Sequence, residues 1–150
     1  MRAEPTVVSP NVLEAEELVG HEFNDDEDRI IAVREMVALG AREAIMTMPD
    51  GCFAQMTPTE PNGGPRLFRV RVAPGVVEPR ATVGSGDAFL AGYVAARYGG
   101  ESTEECLAFG VACGAESTQH LGAGVVDPGQ VQRLLDEVEV TRLEAPAEVG

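Results

Sequence analysis

Short apolar runs alternate with amphipathic helical patterns along the chain, and this alternation constrains the fold more than any other feature. The strand-like runs lie at 6–10, 43–48, 52–57, 66–73 and 138–143. The helical patterns lie at 11–20, from residue 26 to Gly40, from Gly84 onward, at 102–118 and at 127–137. Strands that alternate with helices in this way build a mixed sheet covered by helices. We therefore predict an α/β fold without an internal repeat or a dividing linker.

The spacing of apolar residues also predicts which faces of two elements are buried. Ile30, Val33 and Val37 share one face of the second helix. In the run 66–73, Phe68, Val70 and Val72 alternate with residues 67, 69 and 71, which predicts a strand with one covered face. The helix after Gly84 carries a further apolar set, consisting of Phe89, Leu90, Tyr93 and Val94.

Length and charge limit the class of protein. The 150 residues, of which 44% are apolar, suffice for one modest domain with a core. The net charge of −14, with arginine as the only basic residue besides histidine, argues against nucleic-acid binding, which needs clustered cations. Because the sequence has no apolar run of membrane-spanning length and no signal-peptide pattern, we expect a cytoplasmic protein with no membrane partner.

The three cysteines do not have the spacing of a metal site. Cys52, Cys106 and Cys113 form no C-x-x-C pair, and His21 and His120 stand apart from them. We therefore expect no zinc site, and we interpret Cys106 and Cys113 as small core residues.

The stretch "ATVGSGDAFLAGY" at 81–93 opens a helix with two glycines around a serine, followed by Asp87. Backbone N–H groups at such a helix start bind anions such as phosphate. A carboxylate at this place would repel phosphate, unless it accepts the proton of a hydroxyl that attacks the phosphate. The alternative is a glycine turn in which Asp87 only complements the helix dipole. A Walker A loop is excluded without lysine, and Phe89 occupies the third glycine position of a dinucleotide fingerprint.

A second helix start of interest is Asn11-Val12-Leu13-Glu14. The amide of Asn11 and the carboxylate of Glu14 share a helix face, so together they could hold a hydrated Mg²⁺ near phosphates. The alternative is a capping box, in which Asn11 caps the helix and Glu14 reaches back to it.

Taken in order, "SPNVLEAEEL" and "ATVGSGDAFLAGY" resemble the motifs K-P-N-x-x-E and D-T-x-G-A-G-D-x-F of the ribokinase-like (PfkB) carbohydrate kinases. The segments "FGVACGAESTQHLGAGVVDPGQV" and "VEVTRL" are most similar to the 1-phosphofructokinase and tagatose-6-phosphate kinase branch. The resemblance implies a ribokinase-like three-layer α/β/α fold, of which this chain is the C-terminal, nucleotide-binding half. It assigns residues 1–144 to a partial kinase domain and 145–150 to a polar tail.

The resemblance also implies roles for individual residues. Asp87 matches the catalytic base, and the anion hole matches Gly84, Ser85 and Gly86. The residues that match nucleotide-contacting positions are Asn11, Glu14, Thr47, Gly51 and Ser117, and Asn11 and Glu14 also match the pair that organises Mg²⁺ through water. ATP and Mg²⁺ are thus implied, together with potassium, which activates members of the wider family and whose ligands are not assigned here.

Three positions depart from the family pattern. Ser9 replaces the lysine before Pro-Asn, and Ala81 replaces an acidic or amide residue before the signature threonine. The nucleotide turn at 47–51 is one residue short and lacks its first glycine. The short turn is the departure that could alter how a nucleotide sits.

Three functions follow as hypotheses. The first is ATP-dependent phosphoryl transfer to a hydroxyl of a sugar or sugar phosphate. The second is a non-catalytic Mg·ATP-binding half-domain, or the C-terminal half of a split kinase. The third is a dinucleotide-dependent oxidoreductase, which the incomplete glycine fingerprint disfavours. Without the N-terminal half, the strand at 6–8 becomes an uncovered sheet edge, and we expect association with a missing half or with further copies of the chain.

Overall fold

The computed structural model describes residues 7–20, 22–48, 50–58, 63–73, 85–119 and 127–143. These ranges contain five strands and five helices in the order β1 Val7–Val8, α1 Val12–Val19, α2 Asp26–Ala38, β2 Glu43–Met48, β3 Gly51–Met56, β4 Arg66–Val72, α3 Ser85–Tyr98, α4 Thr103–Ser117, α5 Pro128–Leu135 and β5 Val138–Leu143. The predicted α/β class is confirmed. The helices among these residues include none that is both long and apolar enough to span a membrane.

The strands form one sheet in the order β1-β2-β3-β4-β5. β1 pairs with β2 in parallel, with Val7 opposite Glu43 and Val8 opposite Ala44. β2 and β3 are neighbours separated by two residues, and so short a connection joins strands antiparallel. β1 and β5 therefore lie at the two ends of the described sheet.

Side-chain caps explain where three of the helices begin. Asp25, Ser102 and Asp127 precede α2, α4 and α5, and each side chain accepts a hydrogen bond from a backbone N–H in the first turn. These contacts satisfy donors that the helix leaves unpaired. α1 ends at Gly20, whose φ of 85° is a left-handed conformation that glycine adopts without steric cost.

Contacts divide the chain into two compact units. The first consists of Met1–Met46, Phe53–Arg69 and Thr141–Gly150, and the second of Thr47–Cys52 and Val70–Val140. α1 and α2 belong to the first unit, whereas α3, α4 and α5 belong to the second.

Several expected faces and boundaries are corrected by the structure. The buried face of α2 is formed by Ala32, Val33 and Met36. It is turned about the helix axis relative to the predicted face of Ile30, Val33 and Val37. β3 begins one residue earlier than predicted, at Gly51. Leu67 is buried as well as Phe68, so the opposite face of β4 is covered at that residue. In α3, Leu90 and Val94 are exposed, and only Phe89 and Tyr93 of the predicted set are buried.

Candidate functional site

The helix start predicted from the glycine motif is present at α3. The helix begins at Ser85, and Asp87 lies exposed in its first turn. Ala88 and Phe89, which follow, are buried and fix the helix start to the core of the second unit. Gly84 lies outside the described residues. The first-turn N–H groups of a 14-residue helix favour negative charge at this end.

A small cavity brings together three of the residues predicted from the sequence: Thr47, Gly51 and Gly86. Its remaining lining residues are Met48, Phe89, Val111, Gly114 and Ala115. The volume of about 10 Å³ is that of one water molecule, so the space is a niche beside the helix start and does not hold a nucleotide.

Gly86 leaves room at the edge of this niche. A Cβ atom built on Gly86 would have Thr47 Oγ1 at 3.8 Å as its nearest neighbour, an ordinary contact distance. The described residues have positive φ only at Gly20, Gly40 and Gly100, so the backbone conformation does not require glycine at position 86. The space that a Cβ would fill is therefore open to an approaching ligand, with a hydroxyl group at its border.

Gly51 has a different reason to be glycine. A Cβ on Gly51 would lie 2.0 Å from the carbonyl oxygen of Val70 and 2.7 Å from Cα of Arg71. Two backbones thus pass too closely for any side chain, and the Val72 N–H donates to the Asp50 carbonyl at 2.9 Å beside this point. The position of Gly51 in the nucleotide turn is set by packing.

Tight packing of α3 against α4 supports the helix start. A Cβ on Gly92 would lie 2.7 Å from Cys113 Sγ, and one on Gly110 would lie 2.9 Å from the Phe89 ring. The Phe89 and Tyr93 rings are stacked with centroids 6.2 Å apart. Burial raises the pKa of the Cys113 thiol to about 11, so Cys113 stays protonated at neutral pH. The interpretation of Cys106 and Cys113 as core residues is confirmed by their burial.

Residues at the C-terminal end of α4 are buried. Ser117 donates its hydroxyl to the Gly114 carbonyl at 2.8 Å, and Thr118 donates to the Ala115 carbonyl at 2.6 Å. The same end of the helix supplies Ala115 and Gly114 to the niche. Because the Ser117 hydroxyl proton is used within the helix, a contact with a nucleotide would use its oxygen or the backbone, and this role stays a prediction.

Asn11 and Glu14 form the predicted capping box at the start of α1. Asn11 Oδ1 accepts from the Glu14 N–H at 2.8 Å, and Glu14 Oε1 accepts from the Asn11 N–H at 3.0 Å. Both side chains are exposed, and both belong to the first unit, whereas Asp87 and Gly86 belong to the second. The structure thus shows the capping role, and the proposed Mg²⁺ role rests on the motif alone.

Three lining residues of the niche were not predicted as site residues from the sequence: Phe89, Val111 and Gly114. Met48 lies in the predicted nucleotide turn at 47–51, and Ala115 lies in the segment 115–118, which the family resemblance places at the adenine pocket. Phe89 appeared in the sequence only as an apolar helix position. Gly110 and Gly114, four residues apart in α4, were the available signal, since small residues at this spacing mark a face that another helix approaches closely. Across the described ranges no three His, Cys, Asp or Glu side chains gather as a metal-ligand set.

Comparison with known proteins shows which family of proteins this chain resembles. The model of the pfkB family carbohydrate kinase matches residues 1–128. A 1-phosphofructokinase of Haemophilus influenzae is 31% identical over 144 residues, which are 96% of this chain and 44% of the relative.

Solved structures that resemble the chain include the following two. A Staphylococcus aureus protein assigned as a phosphofructokinase superposes with a TM-score of 0.77 at 25% identity, over 95% of this chain and 44% of that one. Arabidopsis thaliana ribokinase complexed with ribose and ATP superposes with a TM-score of 0.68 at 28% identity, over 86% of this chain and 40% of that one. The chain therefore spans less than half the length of these relatives.

Proposed function

Because the chain belongs to the pfkB family of carbohydrate kinases, we propose that it carries the phosphoryl-transfer machinery of an ATP-dependent sugar or sugar-phosphate kinase. The similarity to a 1-phosphofructokinase favours fructose 1-phosphate as the acceptor. The observation that carries the proposal is the start of α3, where exposed Asp87 follows Gly86 and its open space beside the Thr47 hydroxyl.

The proposed step uses Asp87 as a general base. Its carboxylate accepts the proton of the sugar hydroxyl, whose oxygen then forms a bond to the γ-phosphorus while the bond from that phosphorus to the ADP oxygen breaks. In the proposed anion hole, the N–H groups of Gly84, Ser85 and Gly86 stabilise the negative charge on the transferred group. Without a Cβ at residue 86, the phosphoryl oxygens can approach the backbone closely.

The nucleotide and its metal ion use the other predicted residues. Asn11 and Glu14 supply amide and carboxylate oxygens, which suit Mg²⁺ bound through water, and the metal would offset the charge of the phosphates. An oxygen of each side chain already accepts a backbone N–H in the capping box. Binding of the hydrated metal ion would therefore have to occur while these capping hydrogen bonds are kept. Thr47, Gly51 and Ser117 complete the proposed nucleotide contacts.

A second candidate function is favoured by the length of the chain. The match covers 44% of the 1-phosphofructokinase, and the rest of that relative lies outside it. The chain would then bind Mg·ATP without turnover, or work as one half of a split kinase. Under this alternative Asp87 lacks an acceptor until a partner supplies the sugar site.

The test measures the release of ADP from Mg·ATP in the presence of fructose 1-phosphate. The assay contains no other protein chain and is run in potassium buffer and in sodium buffer. Asp87→Asn is expected to reduce turnover at least about a thousandfold, since it removes the base, while ATP binding stays within about twofold. Glu104→Gln is the matched control, because Glu104 is also an exposed acid in the first turn of a helix.

Equal turnover of the Asp87→Asn variant and the unmodified chain would overturn the catalytic role of Asp87. ATP binding without turnover in either protein would favour the half-domain. Turnover that appears only after a separately produced N-terminal half from a relative is added, and only with Asp87 present, would favour the split kinase.

A further inference from the structure

One side of α3 is both exposed and apolar over most of the length of the helix. Leu90, Ala91, Val94, Ala95 and Tyr98 are exposed, and they follow one another at spacings that place side chains on one side of a helix. The exposed fraction is 39% for Leu90, 48% for Val94 and 93% for Tyr98. These five residues are called the outer face of α3 below.

The opposite side of α3 already packs into the core. Ala88, Phe89 and Tyr93 are buried, and a Cβ on Gly92 would lie 2.7 Å from Cys113 Sγ. A helix at the surface of a protein usually has polar residues on the side away from the core, whereas a helix that is apolar all round is usually buried all round. The outer face therefore indicates that a further element covers α3.

The charged residues of α3 lie at the borders of this face. Arg97 lies beside it, and its guanidinium donates to the hydroxyl of Tyr93 at 3.2 Å. Asp87 precedes Leu90 and Ala91 by three and four residues, so it lies on the same side of the helix, at the N-terminal end of the outer face. A partner that covers this face therefore also reaches the residue proposed as the catalytic base.

The sizes of the side chains favour a helix as the covering element. Leu90, Val94 and Tyr98 are four residues apart and form a ridge of large side chains. Ala91 and Ala95, also four residues apart, form a row of small side chains beside that ridge. Helices pack by fitting the ridge of one into the groove of the other, so the outer face suits the apolar ridge of another helix.

Length and charge indicate which protein supplies that helix. The match covers 44% of the Haemophilus influenzae 1-phosphofructokinase, and more than half of that relative lies outside it. The net charge of −14 opposes a second copy of this chain as the occupant. Since the proposed role of Asp87 is to accept the proton of a sugar hydroxyl, the part that holds the sugar has to approach this end of α3.

We propose that the outer face of α3 docks an apolar helix of a separate chain, which supplies the part of the kinase that lies outside the match. The identity of this partner rests on the kinase function proposed above. Docking buries Val94 and brings the sugar-holding part of the partner to Asp87.

Thiol labelling tests which surface is covered. Because Cys52, Cys106 and Cys113 are buried, a cysteine introduced at an exposed position is the fast-reacting thiol. Val94→Cys places this thiol on the outer face, and Leu39→Cys is the control at the end of α2, where the native residue is 67% exposed. Each variant is co-expressed with the part of the Haemophilus influenzae 1-phosphofructokinase outside the match. The purified complex and the variant chain alone are then labelled with a maleimide.

Formation of the complex is expected to slow the labelling of Val94→Cys at least about tenfold, because a buried thiol is not accessible, and that of Leu39→Cys less than about twofold. Failure to form a complex, or an unchanged rate at Val94→Cys within it, would overturn the proposal. Labelling of Val94→Cys that slows as the concentration of the chain alone is raised would identify a second copy as the occupant, and would overturn it too.

Two substitutions at residue 94 test whether the contact is apolar. Each variant competes with the fluorescently labelled unmodified chain for the partner. Val94→Glu places a charge in the interface and is expected to bind at least about tenfold more weakly, whereas Val94→Leu is expected to bind within about threefold of the unmodified chain. The thermal unfolding of either variant alone should change little, since the residue is half-exposed. Equal affinities of the two variants would contradict the proposed docking.

The same samples distinguish the docking from the kinase function. A complex that protects Val94→Cys without any turnover of sugar phosphate would contradict the kinase function and leave the docking surface in place. Turnover by a complex in which Val94→Cys stays accessible would contradict the docking and leave the kinase function in place. Asp87→Asn is expected to bind the partner as the unmodified chain does, because the outer face is unchanged.

Discussion

Two glycines near the niche show how differently one residue type can be required. Gly51 is required by packing, because the carbonyl oxygen of Val70 would lie 2.0 Å from its Cβ. Gly86 is under no such demand, since its nearest neighbour would be Thr47 Oγ1 at 3.8 Å and its backbone does not have positive φ. Because the fold does not require glycine at position 86, we infer that the missing side chain makes room for a ligand. Stability and activity should therefore respond in opposite ways at Gly86.

We expect Gly86→Ala to raise the free energy of unfolding by about 0.5–1 kcal/mol, because alanine lowers the entropy of the unfolded chain and favours the helix. ATP affinity should fall at least about tenfold, because the new methyl group occupies the space beside the phosphate-binding N–H groups. Urea unfolding and calorimetric titration with Mg·ATP measure the two effects.

Gly51→Ala is the contrasting variant. It is expected to destabilise the chain by about 3 kcal/mol or more, because the added methyl group meets backbone that cannot yield easily. Unchanged ATP affinity in a stable Gly86→Ala variant would contradict the proposed anion hole.

In α1, the same two residues, Asn11 and Glu14, have two interpretations: a helix cap and a Mg²⁺ site. The capping box satisfies two backbone N–H groups at its start, through Asn11 Oδ1 and Glu14 Oε1. A cap is a sufficient reason for both residue types, so the motif N-x-x-E alone does not indicate a metal. Substitutions that keep the cap and remove the amide can separate the two roles.

Asn11→Ser is expected to keep the cap and therefore to change the free energy of unfolding by less than about 0.5 kcal/mol. Asn11→Ala removes the cap and is expected to lower the free energy of unfolding by about 1 kcal/mol. If Asn11 also organises Mg²⁺, both variants should weaken Mg·ATP binding, although only one loses stability. Binding that falls only in the alanine variant would restrict Asn11 to its capping role.

At the scale of the whole molecule, the sheet ends at β1 among the described residues, and this strand is only half-buried. A strand at a sheet edge presents unpaired N–H and C=O groups that can pair with another chain. The net charge of −14 opposes such pairing between identical copies at low salt. Association should therefore depend on both the edge and the ionic strength.

We expect the chain to self-associate at high protein concentration, and more strongly at 0.5 M than at 0.05 M salt, as rough working values, because salt screens the repulsion. Val8→Lys places a charge on β1 and should shift the equilibrium toward monomer in sedimentation velocity. Val140→Lys on β5 is the matched change at the other end of the sheet and tests whether that edge associates as well. Equal effects of both substitutions would show that β1 is not the associating edge.

Local patterns in the sequence were enough to locate the elements of the fold. Short apolar runs located all five strands and helical patterns located the five helices, because these signals act between residues close in the chain. The G-S-G-D motif located the start of α3 for the same reason. The boundary of β3 and the buried face of α2 were missed by a residue or by part of a turn, because both depend on the neighbours that cover them.

Which distant residues meet follows from the packed fold and not from local patterns. The niche that joins Thr47 to Gly86 and the close approach of Val70 to Gly51 depend on contacts between segments far apart in the chain. Hydrogen-bond satisfaction and backbone clearance are properties of packed atoms, so they follow from the fold and not from the order of residues.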